Sequence, residues 1–430
     1  MSAASFDGAV AFAQDLIRIP SLPGEEGELT RRVAAEMEAL GYDDVYTDEL
    51  GSVVGVVRGS GGAVGGNGSP TVMLSCHLDM VAAGDPEEWE HPPFDGMIAG
   101  GYLHGRGAMD IKGPLAIQTH VAAALKGRAA GDIIVAHPVF EERGGWGMDH
   151  LTRPDGGLRP DVVIIGESTH GDIAIGHRGR CEVEIVAQGL AGHASAPDRA
   201  RNALDLVPAI LAGVRDLAAR QQSDDVLGAA SVVATGIDAV PASLNVIPDR
   251  TTVTLDWRIL PGDTVETLLA RVREAIRPHL ERMRAGGGVH GRAGAGNGPV
   301  TDAGRTGRPD GVEVRAATER QTAYTGIQED RLILSPGFLM DPGDPIVTAA
   351  AQAIGTRNGN GSPARVRPWT FATDGGWTCG VRGIPTIGFA PGEERHAHTN
   401  TERLSLDEAR WGYGRYLELV PAVQRAAGGP

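Results

Sequence analysis

The chain has 430 residues, 41% of them hydrophobic, and 39 Lys and Arg against 55 Asp and Glu give a net charge of −16. That length suits two domains with a large buried core, and the acidic balance argues against nucleic acid or an anionic membrane as a partner. No apolar stretch reaches the ~18–20 residues of a membrane span, the start lacks the basic and apolar regions of a signal peptide, and Cys76, Cys181 and Cys379 are too widely spaced for a disulfide framework, so a reduced, cytoplasmic setting is expected.

In chain order, the first informative run is Val72-Met73-Leu74-Ser75-Cys76-His77-Leu78-Asp79-Met80-Val81, which reads as a buried strand delivering His77 and Asp79 at its end. Next, Gly105-Arg106-Gly107-Ala108-Met109-Asp110-Ile111-Lys112-Gly113 reads as a tight loop, and Pro114 opens a helical stretch through Lys126. The apolar run from Asp132 to Phe140 ends in two adjacent carboxylates, Glu141 and Glu142. Carboxylates are almost never fully buried unless paired. A hydrolytic metal site, however, needs one carboxylate to hold the metal and a second to take a proton from water. A further run, Asp161 to Gly166, ends in Glu167, and Thr386 to Ala390 leads into His396-Ala397-His398-Thr399-Asn400-Thr401-Glu402. Taken singly, His77 reads as a core histidine, Asp110 as a loop cap, Glu141 and Glu142 as a surface pair and His398 as a surface residue. Together they put a His, Asp or Glu just past the carboxyl end of several strands, the edge on which open α/β sheets build their sites.

The texture changes near residue 178. Before it the pattern is strand, loop, helix, as in α/β folds. Cys181 to Ala187 then alternates with period two, Asn202 to Arg220 reads as an amphipathic helix, and Ala230 to Ala234 and Thr251 to Arg258 read as strands. Val265 to Met283 reads as a second helix, and this order suggests an inserted α+β, ferredoxin-like domain. Ala285 to Gly311, rich in Gly, Arg and Asp, is expected to be a long mobile loop inside it. The catalytic sheet is expected to resume by about Gln321. The expected organisation is thus a discontinuous domain over 1–178 and 321–430, a mixed, mostly parallel sheet with helices on both faces, with residues 179–320 inserted.

His77-x-Asp79, Asp110 in a Gly-rich loop, Glu141-Glu142, Gly166-Glu167 and Ala397-His398, in that order, resemble the signature of the dinuclear zinc amidohydrolases and peptidases. That family includes acetylornithine deacetylase, succinyl-diaminopimelate desuccinylase, aminoacylase and glutamate carboxypeptidase. The resemblance implies that Asp110 bridges two metals, that His77 and Glu167 complete one site and Glu142 and His398 the other, and that Glu141 is the general base. It implies that the Asp79 carboxylate accepts a hydrogen bond from the far nitrogen of His77, and that the Asp110–Ile111 peptide bond is cis. Imidazole and carboxylate ligands without thiolate suit zinc, two ions per subunit, with cobalt or manganese able to substitute.

In the insert, Gly189-Leu190-Ala191-Gly192-His193-Ala194-Ser195 resembles a family loop whose histidine reaches the partner subunit's site and stabilises the oxyanion, so the insert is implied to be a dimerisation and lid domain. Asn245-Val246-Ile247-Pro248 and Asp256-Trp257-Arg258 match family segments in which the asparagine and the arginine contact substrate, the arginine gripping a carboxylate, a task suited to its planar fork. Arg178 and Arg180 are further substrate-binding candidates, and Thr373-Asp374-Gly375-Gly376 resembles a loop beside the substrate's tail, which makes Thr373 another. Ser168 stands where proline is frequent, and His396 is an alternative to His398, which is preferred because Glu402 follows it at the family spacing. The expected function is hydrolysis of the amide bond of an N-acyl amino acid or dipeptide-like substrate by a homodimer. A dipeptidase or carboxypeptidase, a ureide hydrolase and a catalytically silent scaffold are the alternatives.

Overall fold

The computed structural model describes residues 4–60, 68–239, 241, 243–285, 311–355 and 363–429. The chain divides into two compact units, one of residues 1–178, 320–331 and 335–430, the other of residues 179–319 and 332–334. The loop expected at 285–311 falls almost wholly outside the described residues.

The first unit is built on an eight-stranded mixed sheet. Its strands run in the order Asp44–Thr47, Val53–Val57, Ile133–His137, Val72–Ser75, Val162–Ile165, Thr386–Gly388, Ile173–Ala174 and Val366–Arg367. The four middle strands, 133–137 to 386–388, are mutually parallel. Strands covered on both faces carry no polar alternation, and Val72–Ser75 and Val162–Ile165 are buried at every position. Because these strands are parallel, Cys76-His77, Pro138 to Glu142, Gly166-Glu167 and the segment after Gly388 all leave the sheet at the same edge.

Helices Lys112–Ala124 and Leu406–Ala427 pack on Val72–Ser75, and Gly27–Ala39 packs on the first two strands. The last helix starts where Ser405 accepts a hydrogen bond from the Glu408 N–H and Asp407 and Glu408 fill the first turn. The central helix begins at Lys112 rather than Pro114. Pro114 sits in its first turn, where a missing N–H costs nothing. From Lys112 to Ala122 this helix is buried on every side. Among the described residues no helix is long and apolar enough to cross a membrane.

The second unit has the chain order strand, helix, strand, strand, helix, strand. Gly179–Gln188, Ser231–Asp238, Arg250–Ile259 and Val312–Ala316 form an antiparallel sheet in the spatial order 231–238, 250–259, 179–188, 312–316, with helices Val207–Ala218 and Val265–Ala285 packed against each other. This is the ferredoxin-like arrangement. Period-two burial is clean in Arg250–Ile259, where Thr251, Val253, Leu255, Trp257 and Ile259 face the helices and Asp256 and Arg258 face away. Two expectations need adjusting. The helix expected from Asn202 begins at Val207, after a 3-10 turn at Ala203–Leu206 capped by Asn202. Pro208 cannot take part in a helix interior, so the helix starts beside it. The strand expected to end at Ala234 runs on to Asp238 through a bulge at Ala234/Gly236.

Candidate metal centre

All of the ligand-type side chains of the first unit except Asp110 follow the end of a sheet strand. Val72–Ser75 leads into His77, Ile133–His137 into Glu141 and Glu142, Val162–Ile165 into Glu167 and Thr386–Gly388 into the His398 loop. Asp110 lies just before the central helix. The peptide bond Asp110–Ile111 is cis.

Two groups of three side chains converge there and share one member. His77, Asp110 and Glu167 form the first, and Asp110, Glu142 and His398 the second. His77 Nε2 lies 3.3 Å from Asp110 Oδ1 and 3.2 Å from Glu167 Oε1. His398 Nε2 lies 3.2 Å from Asp110 Oδ2 and 3.1 Å from Glu142 Oε1. Donors about 2.0–2.1 Å from a tetrahedral zinc ion sit about 3.3 Å from one another. Both groups therefore have the spacing of a ligand set, and the two Asp110 oxygens face different groups, as a bridging carboxylate requires. His398, not His396, belongs to the second group.

Glu141 and Glu142 are aimed by their backbone. They occupy a 3-10 turn entered through Phe140 at φ +60° and left through Gly144 and Gly145 at φ +94° and +74°. Gly145 is required twice over. Its φ is left-handed, and a Cβ there would lie 2.6 Å from the Trp377 ring and 2.7 Å from Asp374 Oδ1.

Asp79 departs from the sequence expectation. His77 Nδ1 donates to the main-chain carbonyl of Asp79 at 2.9 Å, while the Asp79 carboxylate is 3.6 Å away. That carboxylate instead accepts the Glu141 N–H on Oδ1 and the Glu142 N–H on Oδ2, each at 3.0 Å. The main chain of Asp79 orients the imidazole, and its side chain ties down the turn carrying the two glutamates. Two N–H donors aimed at one carboxylate outcompete a single ring nitrogen at longer range.

The electrostatics are those of a site built for cations. Burial pushes the Glu141 carboxyl well above the ordinary glutamate range, with Asp374, Glu167 and Glu142 pushing the same way and His77 opposing. Burial and nearby Asp110 raise Glu167 to about 7, and burial with Asp79 and Glu167 raises Asp374 to about 8. Hydrogen bonds to Asp110 and Glu142 raise His398 to about 10. Asp110 goes the other way. Burial alone would raise it, but hydrogen bonds from His398 and His77 hold it below the usual carboxylate range. Crowded, desolvated carboxylates of this kind are relieved by bound positive charge, which fits the donor set to divalent metal.

Thr373 is 3% exposed, and its N–H donates to His177 Nε2 at 3.0 Å. The ring's Nδ1 donates to the carbonyl of Arg178 at 3.1 Å, so His177 holds the Thr373 loop against the strand end at Arg178. Arg178 itself is half-buried.

The remaining candidates lie in the second unit. Gly192–His193 pairs with Val246–Ile247, which brings Asn245 Nδ2 to 3.3 Å from His193 Nε2. His193 Nδ1 accepts the Ser195 N–H at 3.1 Å, which holds the ring within its own loop. Arg258 and Arg180 share one carboxylate, Asp256, through their Nε atoms at 2.9 and 2.6 Å.

Sequence reasoning passed over three residues: His177, Asp374 and Arg106. Asp374 was within reach, since it stands in the Gly-rich segment already quoted, and its Oδ1 is buried without a hydrogen-bond partner among the described residues. His177 carries no local signal, because its partner lies 196 residues away.

Residues 73–421 match the family described as Peptidase family M20/M25/M40. The protein YgeY of Escherichia coli (strain K12) is 28% identical over 395 residues, 91% of this chain and 88% of YgeY. Succinyl-diaminopimelate desuccinylase of Acidiphilium cryptum is 31% identical over 306 residues, 68% of this chain and 79% of the relative. Among solved structures, aminopeptidase PepT from Bacillus cereus aligns with a TM-score of 0.66 at 19% identity, covering 98% of this chain and 99% of that one. A dinuclear metal-binding peptidase of Bacillus subtilis, YXEP, aligns with a TM-score of 0.64 at 15% identity, covering 98% and 99%. At those identities the structural likeness is one of fold.

Proposed function

The chain belongs to the M20/M25/M40 peptidase family and is a metal-dependent hydrolase of amide bonds, and on that premise we propose that it removes the acyl group from a small N-acyl amino acid in a deacetylase- or desuccinylase-like reaction. The observation that carries this reading is the pair of ligand groups sharing Asp110, with Glu141 adjoining one of their members. The desuccinylase relatives, at 31% identity, favour an acylated amino acid.

His77, Asp110, Glu142, Glu167 and His398 would hold two zinc ions, for which cobalt or manganese can substitute. When bound, such a centre supplies Lewis acidity and lowers the pKa of water. Glu141 takes the proton from the attacking water and returns it to the departing amine. His193 donates to the carbonyl oxygen as negative charge develops there. Arg258, Asn245, Arg178 and Thr373 hold the substrate's carboxylate and flanking polar groups.

The working unit is a homodimer in which His193 serves the partner's site. Ser231–Asp238 is an edge strand with Val233 and Ile237 54% and 51% exposed, a surface suited to pairing with a second copy. The acidic balance and the absence of cysteine pairs fit a cytoplasmic enzyme.

The test is a substrate panel run with zinc- and manganese-loaded protein: N-acetyl and N-succinyl amino acids against dipeptides and ureides. Turnover confined to acylated amino acids is expected. Turnover confined to substrates with a free α-amino group would transfer the assignment to a dipeptidase, and ammonia release to a ureide hydrolase. No turnover with any metal would contradict the enzyme reading.

A further inference from the structure

Glu402 is 1% exposed and takes no place in either ligand group, yet it touches both loops that meet at the bridging carboxylate. Its Oε1 accepts the main-chain N–H of Met109 at 3.1 Å and of Asp110 at 3.0 Å. Its Oε2 pairs with Arg106 Nη1 at 2.5 Å, and its own carbonyl accepts the Gly105 N–H at 3.3 Å. Arg106 is 3% exposed and lies over the Trp89 ring at 5.1 Å from its centroid. Its main-chain N–H is anchored on the Pro93 carbonyl at 2.8 Å.

From this geometry we infer that Glu402, neutralised by Arg106, is the positioning residue that sets Asp110 against His398. Asp110 must present one oxygen to each ligand group, and a small rotation of its backbone would serve one group at the expense of the other. One carboxylate oxygen gripping two successive N–H groups fixes that backbone. Glu402 also stands four residues after His398, so the group that fixes the bridge moves with a ligand of the second set. His77 and Glu167 come from other strand ends and have no such tie. Loss of Glu402 therefore falls unevenly: the Asp110/Glu142/His398 set loses alignment, while the His77/Asp110/Glu167 set keeps two of its three members in place. Arg106 makes burial of the carboxylate tolerable, and without Glu402 it becomes an uncompensated buried charge.

The inference rests on the dinuclear reading above, so wild type is measured in the same series. Chelator-stripped wild type, Glu402→Gln and Glu402→Leu are titrated with zinc by calorimetry and with cobalt by visible absorption, and turnover is followed at stoichiometric and at excess metal. Glu402→Gln keeps one oxygen for the two N–H groups but loses the charge pair, whereas Glu402→Leu loses both. The first equivalent should bind Glu402→Gln as it binds wild type. The second should bind about 10–100-fold more weakly, the usual cost of removing an outer partner of a metal ligand. Turnover should fall at stoichiometric metal and recover in excess metal, and Glu402→Leu should lose more on both counts. Thermal midpoints in chelator separate this from a folding role. Equal loss of both equivalents with a matching drop in the metal-free midpoint would overturn the inference in favour of plain structural support. Wild-type affinity for both ions in Glu402→Gln would overturn it outright. Wild type binding fewer than two ions would overturn the dinuclear reading first, and this assignment with it.

Discussion

His177 offers a quantitative test of how the Thr373 loop is held. The ring is fully buried, packs edge-on against Phe338 with centroids 4.9 Å apart, and uses both nitrogens, Nδ1 donating to the Arg178 carbonyl and Nε2 accepting the Thr373 N–H. A second proton on Nε2 would point at the Thr373 N–H that this nitrogen now accepts and would place a charge on a fully buried ring. Burial accordingly pulls the imidazole down to about 4 from the ordinary 6.5. Because the folded value is depressed, the unfolded chain binds the proton first. The contribution to stability is complete above pH 6.5 and is lost as pH falls toward 4. A gap of about 2.5 units corresponds to about 3.4 kcal/mol, a large part of the ~5–15 kcal/mol that holds a typical protein together. His177→Gln removes the titration and leaves every other ionisable group in place. Urea unfolding of both proteins between pH 4 and 8, in chelator so that metal binding adds no pH dependence, should give a constant difference above about pH 7. That difference should shrink by about 3 kcal/mol in the variant's favour by pH 4. Parallel profiles across the range would refute the account of His177 as a neutral buried clamp.

Glu141→Gln should keep its metal content and lose about 10²–10⁴-fold in turnover; near-wild-type turnover would remove Glu141 from the role of base. Arg258→Lys keeps the charge but not the fork, so it should lose activity on substrates with a free carboxylate and little more on their esters or amides. Equal losses on both would make its pairing with Asp256 structural. Mixing inactive His193→Ala and Glu141→Gln chains under subunit exchange should restore about a quarter of wild-type activity, since half of the dimers are mixed and each has one site with both groups intact. Confirmed exchange without activity would mean that His193 acts within its own chain or not at all.

What was legible in the sequence follows from the physics of parallel sheets. Strands buried on both faces are continuous apolar runs, so a His, Asp or Glu at the end of such a run stands out, and Val72–Ser75 and Val162–Ile165 with His77 and Glu167 were readable on that ground. Period two in Arg250–Ile259 gave the antiparallel sheet of the second unit in the same way. Interactions closed by the fold were not readable. Glu402 reaches Asp110 across 292 residues and His177 reaches Thr373 across 196. The role of Asp79 was misread because a residue name does not say whether its carbonyl or its carboxylate faces the neighbouring ring. Only the path of the chain past Glu141 and Glu142 decides that the carboxylate is engaged elsewhere.

The central claim is that Asp110 joins two metal sites into one centre. The most direct measurement is anomalous diffraction from crystals of zinc-loaded protein, with Asp110→Ala alongside. The account predicts two anomalous peaks in wild type, one among His77, Asp110 and Glu167 and the other among Asp110, Glu142 and His398, with both weakened together in the variant. A single peak in fully loaded wild type, or two undiminished peaks in Asp110→Ala, would contradict it.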